Sequence, residues 1–439
     1  MFMKHGIVAA AALAVTLATP AMARVDGDTI TLGSSISLTG KYATNGLHTQ
    51  RGYDYAVKVI NEAGGVKVGG KSYKLAVKYY DDESTPARGA QLAERLIQQD
   101  GVEYMLGPYS SGMTKAIAPV SEKFGVPMVE AEGASRSLFT QGYKYLFAVL
   151  STSEQYLATA IDFAAEKSSD PKSVKIALAF EGDPFSMDVR AGVMDKINEY
   201  GMKVVIDDQL PADLSDMSTT LTKVKALKPD ALIISGHSKG AATAARQIDE
   251  MKVNVPMIAL THCEAAKVQE KFPKTSNGFL CPTQWVETLS KSDPMFGSAA
   301  DWNAGFKADY PSYTSVPYQS ARLRQPSMSS RRHSRQPTAS TRTSCVTRSR
   351  QSRWKPSMVT SSSRRRATTS PSRCSCVRSM PAAPTAWSKR PATWCIRGTW
   401  PTNRPIKNPG EASCFPFFLR QFIRLIITQR LCRGREYVG

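Results

Sequence analysis

Asp81 and Asp82 are the first residues whose types and spacing could do chemistry, because neighbouring carboxylates can share a proton or hold a metal ion. They end an apolar run just before Thr85-Pro86, an N-cap and first-turn proline, and no His or Cys lies near them in sequence. A structural role is expected. Ser111 and Ser135 each stand where a helix is expected to begin, in Gly107-Pro108-Tyr109-Ser110-Ser111 and Glu132-Gly133-Ala134-Ser135. Free N–H groups at a helix start attract an anion, and a serine there can equally serve as a plain cap. Glu264 follows another expected strand, where the helix dipole favours a first-turn carboxylate. There is no G-x-S-x-G elbow, no phosphate-cradling loop and no H-E-x-x-H pair, and the chain holds five histidines. The residues therefore point to binding rather than catalysis, with no cofactor and no metal expected.

Short apolar runs alternate with amphipathic stretches, the pattern of βαβ units on a parallel sheet. Strands are expected at Ile30 to Leu38, Tyr73 to Tyr80, Val102 to Leu106 and Val126 to Val129. Helices are expected from about Leu47 to Glu62, from Pro86 to Gln99 and up to Lys123. After Phe147 the pattern restarts, with strands at Lys175 to Phe180, Lys203 to Asp207, Ala231 to Ser235 and Pro256 to Leu260. The fold class is α/β, with two lobes of similar size and a ligand expected in the cleft beyond the strand ends.

The N-terminus carries a basic start at Lys4, an apolar run from Gly6 to Ala18 and Ala21-Met22-Ala23. That pattern is a cleavable secretory signal, and residues 1–23 are assigned to it. The net charge of +20 is unevenly spread. Residues 1–320 hold 32 basic against 35 acidic side chains, and residues 321–439 hold 25 against 2, giving −3 and +23. A global basic charge is thus no argument for a nucleic-acid partner. Cys263 and Cys281 are the two cysteines of the first part, and the sequence leaves open whether they pair.

Ser37-Leu38-Thr39-Gly40-Lys41-Tyr42, Val59-Ile60-Asn61-Glu62-Ala63-Gly64-Gly65-Val66, Tyr80-Asp81-Asp82 and Gly107-Pro108-Tyr109-Ser110-Ser111 stand in register with that pattern. Together they resemble the branched-chain amino-acid-binding family of periplasmic proteins that serve ABC importers. The resemblance covers about Thr29 to Ser320. It implies a type I periplasmic binding fold, divided here as lobe 1 (24–148), lobe 2 (149–283) and a return to lobe 1 (284–320). It implies that the Ser111 hydroxyl, with Ala134 and Ser135, holds a ligand carboxylate. Phe185 and Tyr42 would offer rings, His237 would take the place of a frequent tyrosine, and Glu264 would pair with an α-ammonium. The implied partners are a small-molecule ligand, an amino acid foremost, and an ABC permease in the inner membrane, with the chain monomeric and periplasmic. An aromatic or other organic acid as ligand, or a ligand-sensing role toward a signalling partner, are the alternatives.

After Ser320 the family pattern stops and a run of Arg, Ser, Pro and Thr begins, with no acidic residue between Asp309 and Glu411. Joining each codon's last base to the next codon's first two, Trp354 to Ser361 force a Glu and a Gly and permit Phe-Tyr-Gly-x-Val. That string resembles a hairpin near the family's C-terminus. Residues 321–439 are accordingly read as an out-of-frame, irregular tail, with Arg364-Arg365-Arg366 no nucleic-acid site and Phe415 to Leu431 no membrane span. Resequencing across codons 318 to 325 should show an inserted or deleted base; an intact frame would overturn that reading.

Overall fold

The computed structural model of the chain describes residues 25–290, 292–321 and 375–378. Lobe 1 opens with β1 (Val25–Asp26), β2 (Thr29–Ile36), α1 (Ala43–Glu62), β3 (Val66–Val68) and β4 (Lys71–Asp81). It continues through α2 (Pro86–Gln98), β5 (Met105–Leu106), α3 (Ser111–Phe124), β6 (Met128–Glu130) and β7 (Leu146–Ala148). The strands lie in the order β3-β4-β2-β5-β6-β7, with β1 on β2. The pairs β2–β4, β2–β5, β5–β6 and β6–β7 are parallel, while β1 and β3 pair antiparallel.

Lobe 2 runs α4 (Ala158–Lys167), β8 (Lys175–Glu181), α5 (Pro184–Tyr200), β9 (Lys203–Leu210), α6 (Ser218–Leu227) and β10 (Ala231–Ser235). Then come α7 (Ser238–Glu250), β11 (Met257–Leu260), α8 (Val268–Lys271) and β12 (Leu280–Thr283). Its central strand β10 lies parallel between β8 and β11 and is buried along its whole length. Helices on both faces of a parallel sheet require such a continuous apolar strand, and Ala-Leu-Ile-Ile supplies it. The chain then returns through β13 (Ser292–Asp293), β14 (Gly297–Ser298) and α9 (Ala299–Asp309). Helix α9 seats Trp302 and Phe306 against Tyr55 of α1, with ring centroids 4.7 and 5.6 Å apart.

Boundaries differ from the sequence expectations in three informative places. Helix α1 begins at Ala43 rather than about Leu47. The strand expected from Val102 shrinks to Met105–Leu106; Val102 and Tyr104 are buried, and only the Tyr104 carbonyl reaches β2, accepting the Gly33 N–H at 2.9 Å. The Thr85 hydroxyl donates to the Glu83 carbonyl rather than capping α2, although Pro86 does open that helix. Asp81 and Asp82 are structural, as expected. Asp81 Oδ1 accepts from the Leu38, Thr39 and Glu83 N–H groups, and Asp82 Oδ1 from the Ser37 hydroxyl and the Ser84 N–H.

Cys263 and Cys281 form a disulfide, with Cα atoms 5.8 Å apart, joining the loop after β11 to β12. The signal segment and most of the basic tail lie outside the described residues. Within the tail, Ser375–Arg378 form β15, antiparallel to β12, where an irregular segment was expected. The physical reason is that β12 would otherwise end the sheet with unpaired backbone groups, and any extended segment can pair with them.

Candidate functional site

Helix α3 follows β5 after the short loop 107–110, and its N-cap Ser110 is held at φ 83°, ψ 147°. That region is sparsely populated by residues other than glycine, and strain of this kind persists where surrounding structure enforces it. The Ser110 side chain accepts from the Met113 N–H at 3.3 Å. Ser111 is thereby placed so that its Oγ accepts the Ser135 N–H at 2.9 Å. Ser135 heads a 3-10 turn (Arg136–Thr140) whose loop is shaped by the Glu130 carboxylate, which accepts the Glu132 and Gly133 N–H groups, both at 2.6 Å. Ala134 is fully buried between these groups and the next segment, its carbonyl accepting the Ser153 N–H at 2.7 Å. The structure thus brings Ser111, Ala134 and Ser135 into one corner at a helix N-terminus, where hydroxyl and N–H donors can take a carboxylate.

Beside that corner, rings from both lobes converge. Tyr42 lies 5.6 Å from Tyr109 and 4.7 Å from His237 between ring centroids. Phe185 lies 5.5 Å from His237 and 5.3 Å from both His262 and Tyr156. Tyr318 closes the group 6.1 Å from His262. The Tyr109 hydroxyl meets His237 Nδ1 at 2.8 Å and His262 Nε2 at 3.1 Å, and the Tyr318 hydroxyl meets the same Nε2 at 3.1 Å. His262 Nδ1 faces the Gly236 carbonyl at 2.8 Å and so carries the proton. Tyr42, Phe185 and His237, expected from the sequence, are joined here by Tyr109, Tyr156, His262 and Tyr318.

Glu264 is placed differently from its six companions. It is half-buried beside Thr283 on β12, whose hydroxyl donates to the Trp285 carbonyl at 2.8 Å. Burial pushes its carboxyl up. The side chain after β11 that enters the ring group is His262, whose φ of 60° turns the loop at that point.

An acidic group stands next to the rings. Glu181 ends β8, and its Oε1 accepts the His237 N–H at 3.1 Å. Asp183 caps α5, its Oδ1 accepting the Phe185 and Ser186 N–H groups at 2.8 and 3.3 Å. His237 Nε2 lies 3.4 Å from Asp183 Oδ1. Burial pushes the Glu181 carboxyl up to about 7, although His237 pulls the other way. Burial acts upward on Asp183 too, but His237 and the cap hydrogen bonds hold it below the usual carboxylate range. Burial disfavours charge on His237, yet Asp183 and Glu181 leave it raised.

The lobes are closed on one another. Ser238 N–H donates to Asn45 Oδ1 at 3.4 Å, Arg136 N–H donates to Asp188 Oδ2 at 2.8 Å, and His48 bridges Tyr313 (2.6 Å) and the Ala265 carbonyl (3.5 Å). Burial lowers His48 from an ordinary 6.5 to about 4. A histidine lowered in the folded state contributes stability that is present above pH 6.5 and lost as pH falls toward 4. Urea unfolding at pH 7 and pH 4.5 should show a loss of roughly 2 to 3 kcal/mol from this group, absent in His48→Gln. Parallel losses in parent and variant would contradict this assignment.

The chain matches the periplasmic binding protein family model over residues 29–322. It is 27% identical over 246 residues to Leu/Ile/Val-binding protein homolog 8 of Brucella suis, covering 55% of this chain and 59% of that one. It is 24% identical over 248 residues to Leu/Ile/Val-binding protein BraC3 of Rhizobium johnstonii, covering 56% and 65%. The chain therefore spans about three fifths of the length of these curated relatives. Among solved structures, the branched-chain amino acid transporter substrate binding protein LivJ from Streptococcus pneumoniae, in complex with isoleucine, superposes with TM-score 0.58 at 24% identity. The match covers 67% of this chain and 80% of that one. A solute binding protein of an ABC transporter from Rhodopseudomonas palustris, in complex with 3,4-dihydroxybenzoic acid, superposes with TM-score 0.58 at 19% identity, covering 67% and 77%. These likenesses share the two-lobed α/β fold, and with a family model matched from β2 to the end of the described return segment, the chain belongs to the periplasmic binding protein family.

Proposed function

We propose that this chain is a periplasmic receptor that closes on a small carboxylate solute, an amino acid foremost, and hands it to an ABC permease. The lobe boundaries taken from the sequence, at 148 and 283, belong to the same proposal. The observation that carries it is the Ser111–Ser135 corner at the start of α3, set beside rings contributed by both lobes. The hydroxyl and N–H groups supply donors for a carboxylate, and the rings supply an apolar wall against which a side chain can be buried. The names of the Brucella and Rhizobium relatives support a branched aliphatic amino acid. The ring-rich wall also favours an aromatic acid, the kind of solute held by the Rhodopseudomonas protein.

Ser111→Ala removes one donor to the carboxylate. Calorimetric titration should show solute binding weakened about 10- to 100-fold, as for a lost hydrogen bond to a charged group. Unchanged affinity would remove Ser111 from the site.

A further inference from the structure

We propose that Glu181, Asp183 and His237 form a binding site for a divalent transition-metal ion in the wall of the cleft. The sequence reading assigned no metal, since these residues lie at two separate strand ends up to 56 positions apart. Folding brings one ligand-type atom from each to within 4.8 Å of the other two. All three side chains are more than nine-tenths buried, with exposures of 1%, 7% and 4%. Glu181 Oε2 and Asp183 Oδ2 are each buried with no hydrogen-bond partner, and the nearest acidic oxygen to His237 Nε2, Asp183 Oδ1 at 3.4 Å, is too far for a well-formed hydrogen bond. Buried carboxylate oxygens left without a hydrogen bond are costly unless something positive joins them.

The surroundings are those of a built site. Every ligand-type residue is oriented through its other polar atom: Glu181 Oε1 by the His237 N–H, Asp183 Oδ1 by the start of α5, and His237 Nδ1 by the Tyr109 hydroxyl. Metal-ligating residues are characteristically held in this way by outer partners. Room for the Glu181 carboxylate is made by two glycines, since a Cβ at Gly236 or at Gly240 would meet Glu181 Oε1 at 2.3 Å. Two carboxylates with one imidazole fit manganese or zinc better than magnesium or calcium.

The test uses the mature chain stripped with chelator, and Mn2+ as probe because it binds thiols poorly. Free Mn2+ would be read by electron paramagnetic resonance in the absence of solute. About one ion per chain is expected, with affinity reduced at least about tenfold in Glu181→Gln and in Asp183→Asn. Both variants retain the hydrogen-bond acceptor of the parent, so metal-free melts should match it. No bound Mn2+, or binding equal in parent and variants, overturns the proposal. Loss of a solute's ammonium preference in these variants, without metal binding, also overturns it and reassigns the carboxylates to the solute. Because the titration contains no solute, its failure leaves the carboxylate-receptor reading standing.

Discussion

Gly46→Ala is expected to destabilise the protein by about 3 kcal/mol or more and to cripple solute binding. A Cβ at Gly46 would lie 1.8 Å from the Ser37 carbonyl oxygen and 2.7 Å from its carbon, both backbone atoms. The Ser37 to Thr39 loop cannot move aside cheaply, because the Ser37 hydroxyl donates to Asp82 at 2.6 Å and the Leu38 N–H to Asp81 at 2.9 Å. Helix α1 would have to shift instead. Its first turn carries Asn45, which accepts from lobe 2, and follows Tyr42 of the ring group. Both the melt and the closed site should therefore suffer together. Denaturant unfolding within 1 kcal/mol of the parent, on the order of ordinary surface substitutions, would show that the close approach is not as tight as the geometry says.

Trp302→Ala should lower the unfolding free energy by about 3 to 5 kcal/mol, a large share of what a typical domain possesses. Trp302 is almost fully buried, 4.7 Å from Tyr55 and 5.3 Å from Phe296 by ring centroids. It belongs to α9, so it fastens the returning segment onto α1. Its Nε1 has no hydrogen-bond partner, which places the expected loss nearer the lower figure, since truncation also removes a buried polar group. Trp302→Phe should retain most of the stability. Urea unfolding of both variants checks this, and a loss below about 1 kcal/mol in Trp302→Ala would mean that the return segment contributes little.

Much of this architecture can be read from the chain, and the parts that cannot are physically specific. Ala231–Ser235 and Lys175–Glu181 announce themselves because strands buried on both faces must be apolar throughout. Ser111 and Ser135 are visible as helix starts after strands. His262 is not, because its entry into the ring group depends on a positive φ that no periodicity encodes, whereas Glu264 two residues later carries the more suggestive chemistry. Asp183 looks like an ordinary cap before Pro184 and is one. Its second role depends on His237 arriving from the neighbouring strand β10 beside Glu181 at the end of β8, and the adjacency of β10 and β8 is a tertiary fact. Tyr318 reaches the site only because the returning chain crosses it.

The most direct test of the central claim is calorimetric titration of the protein with leucine, isoleucine and benzoate, each against its methyl ester. A receptor whose Ser111–Ser135 corner holds a carboxylate binds at least one acid one-to-one and loses that affinity with the ester and with Ser111→Ala. An ester binding as tightly as its acid, or no acid binding at all, would contradict it.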